Sequence, residues 1–187
     1  MEENLRIYVK VSELITFKLM NSKEEKEKII TEMQKEDTLL VTLRMHLYAE
    51  KELDTIIQSI FKYPNFQGFK NKLNIVYSLG IMDKPLYDAV LKLNEVRNGF
   101  AHKLDYGKDN NIYSKLKTGL SNELLKGHEI NVRMIESKLG QIDNERKIRI
   151  LLTDIWIHLK IFSTSILLKK FDFSNRLMSE IVEEISE

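Results

Sequence analysis

The chain has no cysteine, two prolines, seven glycines and one tryptophan in 187 residues. Without cysteine there are no disulfides, no thiolate metal sites and no cysteine nucleophile. So little proline and glycine leaves few places to break a helix, which argues for helices joined by short connections. Charge of one sign is lacking too. Twenty-nine Lys and Arg face twenty-eight Asp and Glu, for a net charge of +1. A nucleic-acid partner would therefore need a local basic patch. The longest apolar region, Ile148 to Leu168, is interrupted by Arg149, Asp154, His158 and Lys160. It reads as a core helix rather than a membrane span. The acidic start, Met1-Glu2-Glu3-Asn4, does not look like a signal peptide. The four histidines, at 46, 102, 128 and 158, show no metal-ligand spacing. A cytoplasmic protein with no cofactor and no metal is the expectation.

What is present is helical patterning, and one helix departs from it. Asp83 is a good N-cap and Pro85 falls in the first turn, where its missing N–H costs nothing. Leu86, Val90 and Leu93 recur along one face. The next step on that face is Arg97. A second row runs through Tyr87, Leu91, Asn94, Asn98 and His102. A helix that begins apolar thus ends with Asn94, Arg97, Asn98 and His102 at or beside its core-facing side. A guanidinium in core phase needs partners for its donors, and such placements often belong to sites. Arg97 and His102 are five apart and diverge by about 140° on a regular helix. They meet at one ligand only if the helix distorts or ends near Gly99, or if they line a cleft from the helix end. A two-fold dimer would bring two such ends together. The residues also allow a structural reading. Arg97 can pack its stem and keep its head in water, and His102 can sit at a C-terminus because the macrodipole favours a cation there.

The string Arg97-Asn98-Gly99-Phe100-Ala101-His102 resembles the Arg-Asn…His signature of the HEPN superfamily, which is all-helical. The preceding context, Phe69-Lys70-Asn71-Lys72-Leu73, Leu79-Gly80-Ile81-Met82-Asp83, Leu86-Tyr87 and Leu93-Asn94, is similar to the branch around the mannitol-operon repressor. The resemblance covers roughly residues 38–106. It implies an all-α, HEPN-like bundle with additional C-terminal helices. It also implies a homodimer with a composite site on the two-fold axis, and metal-independent cleavage of RNA, tRNA being one candidate. On that reading Arg97, Asn98 and His102 are catalytic. Family members without nuclease activity act as regulators or as toxin–antitoxin interaction modules, so a regulator or a chain paired with an antitoxin is the alternative implied.

The rest of the chain fits around this segment. Residues 1–37 read as a helical extension and 38–187 as the HEPN-like domain, the two expected to form one compact body. Residues 5–20 mix strand-like and helix-like spacing and are read as helix, since no second strand is there to pair with, and Ser22-Lys23-Glu24-Glu25 is a capping box that starts a charged helix to Glu36. Thr38 to Phe61 forms a stronger helix, either new or continuous with the last, with Leu39, Leu40, Leu43, Leu47, Ile56, Ile57, Ile60 and Phe61 facing inward. His46 and Glu50 lie on a neighbouring row. The resemblance brings this helix near the motif helix, where His46 or Glu50 can hydrogen-bond Arg97 or His102. Asn94 is a third supporting residue. The loop from Lys103 to Asn111 is polar. In it Lys103 and Lys108, with Lys115 and Lys117 beyond, can hold phosphates, and Tyr106 can stack a base; any solvated connection looks the same. Two short helices, 113–126 and 130–139, are expected on either side of Gly127. Asp143 should cap a long helix to about Phe171, and Ser174 should begin a last one.

Overall fold

The computed structural model describes residues 33, 35–62, 64–102 and 111–186, with side chains described to residue 170. The chain divides into two units, 1–36 and 37–187. The helices expected over 5–20 and 23–36 fall almost wholly outside the described residues. So do Lys103, Tyr106 and Lys108.

The second unit is all-α. Its six helices are α1 (Thr38–Ile60), α2 (Phe69–Ser78), α3 (Lys84–His102), α4 (Ile112–Lys117), α5 (Asn122–Leu139) and α6 (Asn144–Ser186), and there is no strand among the described residues. Their starts follow from local chemistry. Asp37 accepts from the Leu39 and Leu40 amides at 2.7 and 3.4 Å, Asp83 from Leu86 at 3.0 Å, Ser121 from Leu124 at 3.2 Å and Asp143 from Arg146 at 2.8 Å. Each carboxylate or hydroxyl satisfies an amide that has no partner within its own helix.

The core forms where α6 lies along α1, with α3, α4 and α5 also packed on α6, and α2 and α3 on α1. Leu151, Leu152, Ile155 and Leu159 of α6 are fully buried against this assembly. Near its start Arg149 is also buried; its Nη1 donates to Thr38 Oγ1 at 3.0 Å and so ties α6 to the first turn of α1. The stretch Asn144–Lys170 is long and apolar enough to cross a membrane, with a mean hydropathy of 1.4 in its most apolar window. Over half of that window is buried within the protein itself.

Three expectations need correcting. The inward face of α1 is Val41, Met45, Ala49, Leu53, Ile56 and Ile57, while Leu39, Leu40, Leu43, Leu47 and Ile60 are exposed. The first half of α1 carries two apolar faces, and helical spacing cannot tell which one a neighbour covers. The break between α4 and α5 is at Thr118–Ser121, not Gly127. Gly119 there takes φ +84°, whereas Gly127 is helical and cooperative bonding carries the helix through it. Finally, α6 runs without a break past Ser174 to Ser186, because a lone serine offers a possible cap but no steric stop.

Candidate functional site

The motif helix α3 packs on α1, α2, α4 and α6, and its buried residues are Ala89, Val90, Leu93, Asn94 and Val96. That buried face ends at Val96, directly before the motif's charged residues. Arg97 and Asn98 are half-buried and His102, the last residue of the helix, is exposed. The polarity gradient along α3 is therefore a gradient from core to surface. Arg97 Nη1 donates to Asn98 Oδ1 at 3.1 Å. The contact holds the guanidinium close to its own helix and leaves its other nitrogens for further acceptors.

Of the residues expected to support the motif, Asn94 and His46 meet. His46 Nε2 lies 3.1 Å from Asn94 Oδ1, and the pair is buried. An amide oxygen only accepts, so Nε2 carries the proton and Nδ1 is the open nitrogen of the neutral ring. The ring stacks on Phe69 of α2, with centroids 4.2 Å apart and planes at 26°. Three helices therefore share one contact. Burial drives the His46 pKa below the usual histidine value. The Asn94 bond opposes the shift, the Arg97 charge adds to it, and Glu50 opposes it. The ring is neutral at pH 7 and sits within the field of the motif arginine.

Glu50 faces elsewhere. It takes one hydrogen of Lys72 Nζ at 2.9 Å, and Asp54 takes another at 2.8 Å. Glu50 thus joins α1 to α2 instead of bonding Arg97 or His102. Lys72 itself is nearly sheltered from solvent. Its sequence signal is spacing: a lysine at the third step after Phe69 shares that residue's inward face.

α3 is regular through Gly99 to His102. Arg97 and His102 of one chain therefore keep their divergence of about 140°. One chain offers a ligand the Arg97–Asn98 pair on one side of the helix end and His102 on another. A cleft of about 370 Å³ is lined by Asp83, Leu86, Ser121, Leu124, His158 and Phe162 among others. It opens at the opposite end of α3, about 18 Å along the axis from Arg97. Among the described residues no three His, Asp or Glu side chains are grouped to hold a metal ion.

A second polar cluster joins α4, α5 and α6. His128 and Asp154 are buried, with Nδ1 and Oδ2 3.0 Å apart. Asn131 Nδ2 donates to Asp154 Oδ1 at 2.6 Å, and Tyr113 Oη lies 2.9 Å from His128 Nε2. The sequence signal for this cluster was the acid at 154 inside an otherwise apolar run. Its partners are distant in the chain and could not be chosen from spacing.

Compared with known proteins, the chain matches no family model, no curated protein and no solved structure.

Proposed function

We propose that the chain is a metal-independent endoribonuclease of the HEPN type, acting as a homodimer on RNA, with tRNA among the candidate substrates. The observation that supports this best is the accessibility of the motif. Asn94 and His46 are sealed and mutually bonded, while Arg97 and Asn98 are half-buried and His102 is exposed. A purely structural network would have satisfied and closed all of them.

The reaction is attack by the RNA 2′-hydroxyl on the adjacent phosphorus, with loss of the 5′-oxygen and formation of a 2′,3′-cyclic phosphate. His102 takes the proton of the attacking hydroxyl and supplies one to the leaving oxygen, because an imidazole nitrogen can serve as either base or acid. Arg97 clamps two phosphate oxygens as charge accumulates on them. Asn98 holds the guanidinium in place. The divergence of Arg97 and His102 on one helix favours a site assembled from two helix ends, as a two-fold dimer supplies.

The test is incubation of wild type, Arg97→Ala and His102→Ala with total tRNA and a mixed RNA pool in EDTA. Cleavage by wild type alone, leaving cyclic phosphate ends, is the expected result. Cleavage retained by His102→Ala would overturn the assignment. Inactivity of a folded wild-type dimer would redirect the reading to a regulator or interaction module.

A further inference from the structure

The cluster around His128 is ordered like a relay. Asp154 is a carboxylate with both oxygens engaged: Oδ2 faces His128 Nδ1 at 3.0 Å, and Oδ1 accepts from Asn131 at 2.6 Å. A carboxylate only accepts, so His128 Nδ1 carries the proton. In the neutral ring Nε2 is then an acceptor, and the Tyr113 hydroxyl at 2.9 Å donates to it. A hydroxyl, a base within hydrogen-bond reach and an acid that orients the base is the arrangement by which proteins activate weak nucleophiles.

The burial gradient suits that role. His128 and Asp154 are sealed, at 0 and 2% exposure, while Tyr113 is half-buried on the short helix α4. Burial raises the Tyr113 pKa, and the nearby charges of Glu129, Asp154 and Glu136 raise it further. The phenol therefore stays protonated at rest and reacts only if a base removes its proton during attack. His128 is placed to do so. Lys117 Nζ lies 5.4 Å from the centroid of the Tyr113 ring, a cation on the ring that would gain negative charge.

We propose that Tyr113 is a nucleophilic tyrosine, activated by His128 and Asp154, that accepts an acyl group from a small activated ester or thioester. In the step, Tyr113 Oη attacks the carbonyl carbon while His128 Nε2 takes the phenolic proton. The bond from carbon to the leaving oxygen or sulfur breaks, and His128 returns the proton to the departing group. The product is a tyrosyl ester. No oxidant or reductant takes part. The site shares no residue with the Arg97–His102 motif and does not depend on the nuclease reading.

The probe is p-nitrophenyl acetate added to the full chain, with nitrophenol release followed by absorbance and the acetylated residue located by peptide mass mapping. Wild type should release one fast equivalent, with the acetyl group on Tyr113, roughly a hundredfold faster than N-acetyltyrosinamide reacts at the same pH. Tyr113→Phe should abolish the fast phase, and Asp154→Asn should slow it by removing the group that orients His128. The mapped site and the rate ratio need only wild-type protein, so the idea stays testable if Asp154→Asn fails to fold. A fast phase that survives Tyr113→Phe, or a Tyr113 that reacts no faster than the free amino-acid amide, overturns it and leaves the cluster as a structural tie.

Discussion

His46 stores a pH dependence in a single side chain. Its folded-state pKa is depressed, first by burial and then by Arg97, against the pull of Asn94 and Glu50. The unfolded chain therefore binds the proton more readily than the folded one between the depressed value and about 6.5. Stability should rise with pH across that window and fall as the solution is acidified through it. Urea unfolding of wild type and His46→Gln between pH 5 and 8 checks this. The glutamine variant should lose most of the slope, and an unchanged slope would assign it to another group. Lys72 works in the opposite sense. Burial alone would lower its pKa, but the bonds to Asp54 and Glu50 outweigh it and the net shift is upward. Its contribution is complete below the unfolded lysine value and is lost only as pH rises through the folded one, so it is intact at neutral pH. Lys72→Met leaves two carboxylates facing each other without their cation. It should cost about 1–3 kcal/mol at pH 7, read as a drop in denaturation midpoint.

At the scale of the element, glycines and caps set the connections. Gly127 lies inside α5, and a methyl group there meets nothing within 4 Å. Gly127→Ala should raise stability by about 0.5–1 kcal/mol, through helix propensity and a less flexible unfolded chain. Gly119→Ala has equally open space but requires φ +84°. It should lower stability by about 1 kcal/mol. Opposite shifts in melting temperature for two chemically identical substitutions test the placement of the α4–α5 turn. α1 offers a similar contrast between its two faces. Met45→Ala should cost about 2–5 kcal/mol as a core truncation, while Leu47→Ala, at 62% exposure, should change the stability of the isolated chain by less than about 0.5 kcal/mol.

For the whole molecule, the proposed nuclease depends on assembly. If two helix ends form one site, Arg97→Ala and His102→Ala chains should each be inactive alone. A refolded mixture should regain part of the cleavage activity, because the mixed dimer holds one intact Arg97 and one intact His102. Mixed chains that stay inactive while sedimenting as dimers would show that both must come from the same protomer.

Local patterning in the chain dictates that the second unit is helical and where most of its helices begin. Caps such as Asp83 and Asp143 act within three residues, and scarce proline and glycine leave long runs uninterrupted. It also marked Asn94, Arg97, Asn98 and His102, because polar residues in core phase stand out against a periodic background. Only the tertiary structure decided which of them the core covers. Asn94 meets His46 across 48 residues, and Glu50 meets Lys72 across 22. The choice between the two apolar faces of α1, and the closure of Tyr113, His128 and Asp154 into one chain of hydrogen bonds, were likewise settled by neighbours. Helical periodicity records which side chains share a face of one helix, whereas burial and hydrogen bonding depend on what lies opposite that face. That information resides in no single segment.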